Sequence, residues 1–189
     1  MTQNLNKALD EFVLRYEKAI LNKPKEAQIE FDSQWPSLCY CQEKKDGDLV
    51  AWKPMLREVP GLFTGLEAGL EMIIHPDIIA YYGRYWSDNL NAQAEQGKLQ
   101  LLQAWNEQDY QRLQQNIVGH ILMKRRLQQA ETIFFALTDE EDFVLSIDNA
   151  SGQVVLEQVG LVPQETLAPN LASFLETLEP HVINRISTT

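Results

Sequence analysis

Lys98-Leu99-Gln100-Leu101-Leu102-Gln103-Ala104-Trp105-Asn106 opens a run from Gly97 to Gly152 that reads as strand, long helix, strand and hairpin, and every other segment has to pack around it. Lys98 to Trp105 is a strand candidate. Asn106 is a good helix N-cap, and Asp109 falls at the third helical position, where a carboxylate reaches back to the free amides of the first turn. Tyr110, Leu113, Ile117 and Ile121 then follow at spacings of three and four, widened by Val118 and Leu122 into one apolar stripe. Lys124, Arg125 and Arg126 close the last turn, where cations favour the negative end of the helix dipole. Next the period changes. Thr132-Ile133-Phe134-Phe135-Ala136-Leu137 is a nearly continuous apolar run, the pattern of a strand buried on both faces. An acidic turn, Thr138-Asp139-Glu140-Glu141-Asp142, leads to Phe143–Ile147, the turn Asn149-Ala150-Ser151-Gly152 and Gln153–Leu156, a three-strand antiparallel meander by its turns.

Outward from this run, Tyr85 to Ala92 alternates and Glu95-Gln96-Gly97 is a turn, so this strand is expected to pair with Lys98–Trp105. Thr64 caps a short helix over Gly65–Met72, and Pro76 opens another through Tyr82. At the start, Leu5, Ala8, Leu9, Phe12, Val13, Tyr16 and Ile20 repeat at helical spacing against a mixed-charge face, and Pro24 ends the helix. Its stripe is expected to lie on the sheet, since a free helix of this length is marginal in water. Residues 23 to 48 are polar and broken by prolines, a loop anchored at Phe31 and Trp35, before a strand at Leu49–Trp52. A last helix runs from Asn170 to Leu178 with Leu171, Phe174, Leu175 and Leu178 inward. The expected architecture is α+β: a single mostly antiparallel sheet flanked by helices, in one domain over residues 1–189.

Composition narrows the chemistry. The chain is 44% hydrophobic and 23% charged, that of a globular protein, and no window approaches the roughly 18 apolar residues of a membrane span. Met1-Thr2-Gln3-Asn4 lacks the basic and apolar regions of a secretory signal, so a cytosolic protein is expected. Net charge is −11, and residues 127 to 189 hold most of it, with Arg185 alone against ten carboxylates. A one-signed surface repels nucleic acid and anionic lipid and steers basic partners inward.

Catalysis is not expected. Glu140 and Glu141 are adjacent and point apart, the wrong geometry for an acid and base flanking one bond. Glu67 and Asp77 lie on separate short helices, and His120, after Gly119 in the long helix, has no nucleophile at informative spacing and reads as a packing residue. Gly119 itself reads as a site of close approach to the sheet. Cys39 and Cys41 stand too close in sequence to favour a mutual bridge, and with His75, His120 and His181 scattered no metal-ligand spacing exists. Gly61-Leu62-Phe63-Thr64-Gly65 lacks the lysine of a phosphate cradle. No cofactor and no metal are expected.

The string Gln115-Asn116-Ile117-Val118-Gly119-His120-Ile121-Leu122-Met123-Lys124-Arg125-Arg126-Leu127, with the Thr132 strand and its acidic turn, resembles the Syd family of SecY-interacting proteins of γ-proteobacteria. The Lys98–Trp105 hairpin strand, the Ser151-Gly152 turn and Leu167-Ala168-Pro169-Asn170-Leu171-Ala172-Ser173-Phe174-Leu175 agree with it in the same order, and the likeness runs from about residue 5 to about 180, poorest over 23–48. The resemblance implies the SUKH superfamily, with a sheet whose concave side forms an acidic groove. It also implies a role: binding the cytoplasmic face of the SecY channel as a quality-control factor or negative regulator, peripheral at the cytoplasmic side of the cell inner membrane.

Charge reaches a compatible place independently. Cytoplasmic loops of membrane proteins carry excess Lys and Arg, and an acidic surface complements them. Exposed ion pairs contribute only about 0–1 kcal/mol each, so several must act with aromatic anchors. The expected contact residues are Asp139, Glu140, Glu141, Asp142 and Asp148, with Tyr82 and Trp86 as anchors. Lys124-Arg125-Arg126 is the one feature pointing to lipid, and the acidic remainder would partly cancel it, so membrane attachment is expected to be indirect, through the channel. The competing reading is an immunity-type protein that neutralises a basic toxin through the same groove.

Overall fold

The protein, described here from a computed structural model, is covered over residues 2–25 and 27–182. Its chain order is α1 (Thr2–Asn22), β1 (Gln28–Glu30), β2 (Leu49–Ala51), β3 (Met55–Leu56), α2 (Thr64–Leu70), α3 (Pro76–Arg84), β4 (Tyr85–Trp86), β5 (Leu90–Gln93), β6 (Lys98–Leu101), α4 (Glu107–Arg126), β7 (Thr132–Thr138), β8 (Phe143–Asp148), β9 (Val154–Gln158), β10 (Glu165–Ala168), α5 (Leu171–Glu176) and β11 (Glu179–Pro180). The class is α+β. Seven strands form one antiparallel sheet in the order β10-β9-β8-β7-β6-β5-β11, and two small two-stranded sheets pair β1 with β2 and β3 with β4.

The edges of the large sheet explain its curl. β10 and β11 lie at opposite edges, yet only α5 and its short flanks join them. Six strand spacings of a flat sheet cover about 29 Å, and a connection of two extended flanks and a six-residue helix reaches about the same only at full stretch. The sheet therefore curls towards α5. Phe174 on α5 meets Phe135 at 5.8 Å between ring centroids, and Tyr81 on α3 meets the same ring at 5.8 Å.

The cap of α4 forms as its sequence dictates: Asn106 accepts the amide of Asp109 at 2.9 Å, while the Asp109 carboxylate accepts the amide of Trp105 at 2.9 Å. The reciprocal bond reaches one residue further back than in the usual capping box. α1 buries Leu5, Leu9 and Phe12 completely, each worth roughly 1.5–3 kcal/mol relative to exposure. It packs on α3, α5 and β11, so helices stand between it and most of the sheet.

Several boundaries differ from the sequence expectation. The segment 23–48 holds β1, which pairs Ile29 with Val50, and Tyr40 bridges to Trp52. The strand expected over 85–92 divides: β4 pairs with β3, and β5 pairs with both β6 and β11. β6 stops at Leu101, although Leu102 still donates its amide to the Phe135 carbonyl. Gly119 faces open space with nothing within 4 Å of a would-be Cβ, so it permits no close approach to the sheet.

Candidate functional site

The β7–β8 turn carries Asp139, Glu140, Glu141 and Asp142, all exposed. The Thr138 hydroxyl accepts the Glu140 amide at 3.2 Å and lies 3.2 Å from the Phe143 carbonyl oxygen, closing the turn on itself. Asp142 adopts φ +70°, a left-handed conformation that a short polar side chain tolerates better than a branched one. None of the four carboxylates makes an ion pair among the described residues.

Beside this turn lies a cavity of about 160 Å³ on the α5 face of the sheet. Register builds its floor: Leu145 on β8 sits opposite Leu156 on β9, so the two side chains share a face, with Leu99 from β6, Leu167 from β10 and Phe174 from α5 around them. Asp139, Glu140 and Glu165 stand among its lining residues, with Lys98 the one cation. Glu165 pairs in register with Leu156, which brings its carboxylate to the same side as the floor. The arrangement is an apolar pocket under an acidic rim. It can take an apolar side chain while carboxylates engage cations beside it.

The remaining expected contacts go elsewhere. Asp148 ends β8 at the other end from the acidic turn, about 17 Å away along a six-residue strand. There its Oδ1 accepts the Ser151 amide and hydroxyl, each at 2.7 Å, shaping the turn that contains Gly152 at φ +79°. Tyr82 is fully buried, its hydroxyl donates to the Phe134 carbonyl at 2.8 Å, and burial pushes its pKa well up. It is a core residue and offers no surface to a partner. Trp86 is half-buried beneath the Arg57 guanidinium, 3.7 Å from the ring centroid. It lines a separate hollow with Leu38 and Trp105 that shares no residue with the acidic cavity.

Not all of the C-terminal charge is surface charge. Glu157 is buried and accepts from Lys124 Nζ at 2.5 Å, Ser146 Oγ at 2.6 Å and Thr132 Oγ1 at 2.8 Å. Burial alone would raise its pKa, yet His120, Lys124, Ser146 and Thr132 together hold it down at about 2. Glu131 is tied to Arg125, and Glu179 to Arg15. The basic triplet is dismantled in the same way: Lys124 is inside, Arg125 is committed to Glu131 and the Leu70 carbonyl, and Arg126 alone of the three stands exposed without a bonded partner among the described residues. A three-charge lipid patch does not exist.

Of the groups considered for catalysis, Glu67 and His120 have structural partners, whereas Asp77 is buried with its Oδ1 unbonded among the described residues. Glu67 accepts the amide of Ile74 at 3.0 Å, and His120 Nε2 lies 3.1 Å from Thr132 Oγ1 with its ring edge-on to Phe134. Cys39 is buried, with its thiol pushed up to about 12 by desolvation, while Cys41 is exposed. Among the described residues no three His, Cys, Asp or Glu side chains converge to hold a metal, and no helix is long and apolar enough to cross a membrane.

Sequence reasoning did not place Glu165 or the apolar floor at the site. The available signal was the pair Glu165 and Leu167, two residues apart, which becomes legible only once β10 is seen as an edge strand with Glu165 opposite Leu156 of β9.

Fold and face together define an α+β domain with a curled antiparallel sheet and an acidic, pocketed end. The family described as Syd protein (SUKH-2) matches residues 6–180. Proteins named Syd from Pseudoalteromonas atlantica, Alteromonas mediterranea and Colwellia psychrerythraea are 54%, 48% and 40% identical to the chain, covering 95%, 95% and 92% of it and 98%, 98% and 93% of their own lengths. The chain belongs to the Syd family.

Proposed function

We propose that this protein is a non-enzymatic binding protein that docks its acidic sheet end on basic cytoplasmic loops of the SecY channel, as a quality-control factor or negative regulator of translocation. Family membership supports the choice of partner. The observation that carries the mode of docking is the pairing of four exposed carboxylates, unmatched by cations among the described residues, with an apolar cavity at their side. A loop bearing Lys or Arg next to an apolar residue satisfies both at once. The carboxylates speed encounter, and the buried side chain slows release.

In this reading the protein is peripheral at the cytoplasmic side of the inner membrane and reaches it through the channel. Burial of Lys124 removes the best candidate for direct lipid attraction. Needing neither cofactor nor metal, the interaction is a matter of charge and fit alone.

The test is binding of the purified protein to SecY-enriched membranes and to matched membranes without SecY, each at low and high salt. Binding that needs the channel and weakens in salt is expected, because the screening length falls to about 3 Å at 1 M. Equal binding to both membranes, or to protein-free anionic vesicles, would refute the proposal. Binding to neither would favour a soluble basic partner, as in the toxin-neutralising reading.

A further inference from the structure

A second cavity, of about 390 Å³, lies between the β3–α2 loop, the outer face of α3 and the start of α1, and shares no lining residue with the acidic one. Its volume falls within the roughly 300–1,000 Å³ of ordinary small-ligand sites. Leu56, Pro60, Leu62, Ile79 and Ala80 give it apolar walls, and two of these, Leu56 and Leu62, are 57% and 61% exposed. Arg57 and Arg84 also line it.

The two arginines differ in how well they are matched. Arg84 holds Asp10 in a bidentate pair, at 2.6 Å and 2.5 Å, and its charge is spent. Arg57 is not so served. Its side chain is 8% exposed and lies between the rings of Trp86 and Tyr110, with centroids at 3.7 Å and 4.6 Å. Its Nη1 is buried with no acceptor, its Nε reaches the Val59 carbonyl only at 3.4 Å, and the nearest carboxylate, the exposed Glu107, is 3.9 Å away. A guanidinium carries five N–H donors in a planar fork, so most of its donor capacity is unused. The two rings, set at 90° to each other, hold the guanidinium in place before any ligand arrives.

The backbone around it is preset. Arg57 donates its amide to the Arg84 carbonyl, and Gly61 to the Gly83 carbonyl, each at 2.9 Å. A Cβ on Gly83 would stand 2.7 Å from the Gly61 carbonyl oxygen, so the loop and α3 approach as closely as glycine allows.

We propose that this cavity binds a small carboxylate with an apolar body, its head on the Arg57 guanidinium and its body against Leu56, Leu62 and Ile79. A carboxylate matches the fork with two oxygens, and covering exposed leucines favours an apolar tail over a small hydrated anion such as phosphate.

The experiment titrates the full chain with octanoate and, separately, with octylamine, following the amide signals of Gly61 and Gly83 by NMR. Octanoate is expected to shift both signals saturably and to bind at least about tenfold more tightly than octylamine, a difference of about 1.4 kcal/mol. Arg57→Met is expected to weaken octanoate by about tenfold or more. Because removing Arg57 also opens the space between two rings, Leu62→Glu serves as the second variant: it sets a carboxylate in an exposed wall, leaves the core untouched and is expected to weaken octanoate by a similar factor. Equal binding of acid and amine, shifts confined to other parts of the chain, no saturation by roughly 10 mM, or octanoate binding unchanged in folded Leu62→Glu would each overturn the proposal.

Discussion

Lys124 and Glu157 form an ion pair at 2.5 Å with neither side chain more than 1% exposed, joining the last turn of α4 to the sheet beneath it. Breaking such a pair costs more than the pair contributes, because the survivor is left as an unmatched buried charge. Lys124→Met is therefore expected to lower stability by about 3–5 kcal/mol, and the double variant Lys124→Met/Glu157→Gln, which keeps an acceptor for the buried Ser146 and Thr132 hydroxyls, to recover part of that loss. Urea unfolding of the three proteins is the measurement. A single-variant loss below about 1 kcal/mol would contradict the picture.

The same carboxylate sets a pH dependence. Glu157 is held at about 2 in the folded protein against an ordinary 4.5. Its folded pKa is depressed, so its contribution is fully present above about 4.5 and is lost as pH falls towards 2. The difference corresponds to about 3 kcal/mol. Stability of the native protein should drop through that window by more than in Glu157→Gln, which has no carboxylate to protonate there. Parallel pH profiles of the two proteins would show that Glu157 is not held down.

At the acidic turn, Glu140→Lys/Glu141→Lys should weaken binding to SecY-containing membranes and flatten its salt dependence, with stability changed by no more than about 0.5 kcal/mol. Asp148→Lys sits at the far end of β8 and should leave binding nearly unchanged while costing stability, because Asp148 anchors Ser151. Co-sedimentation with a thermal melt of each variant separates the two. Equal loss of binding in both would move the contact away from the turn.

Much of the fold is legible in sequence where periodicity is long. The stripe of α4, its Asn106 cap, the β7–β9 meander and the inward face of α5 follow from spacing and turn residues alone. What escapes is pairing between short, distant segments. β1, β3, β10 and β11 have two to four residues each, too few for a period; β3 and β11 exist because a distant strand offers its edge, and β1 and β10 because the next or preceding strand does. The site escapes for a related reason. Formal charge counts Glu157 and Asp148 alongside Glu140, but only the packing of α4 and the turn at Ser151 reveal that the first two are already occupied. Tyr82 and Trp86 are aromatic neighbours of the expected kind, and only the packing of α3 against β7 shows that the Tyr82 ring points into the core.

Tyr82 supplies a direct separation of core from interface. Its side chain is fully buried and its hydroxyl donates to the part-buried Phe134 carbonyl at 2.8 Å, so Tyr82→Phe removes the donor and leaves the carbonyl short of a partner. A loss of about 1–2 kcal/mol is expected by chemical denaturation. Binding to SecY-containing membranes at a temperature where both proteins are folded should be the same as for the native chain. Reduced binding by the folded variant would return Tyr82 to the contact surface.

Gly119 offers the opposite kind of change. It lies in the interior of α4, is exposed, and a methyl group there would meet nothing within 4 Å. Its φ is not in the left-handed region, so alanine fits the native backbone. Glycine loses more conformational freedom on folding than alanine. Gly119→Ala should therefore stabilise the protein by about 0.5–1 kcal/mol, read as a rise in the urea midpoint with an unchanged slope. A destabilised variant would mean that α4 does meet something at Gly119, either the sheet or a partner, and that the glycine is there to admit it.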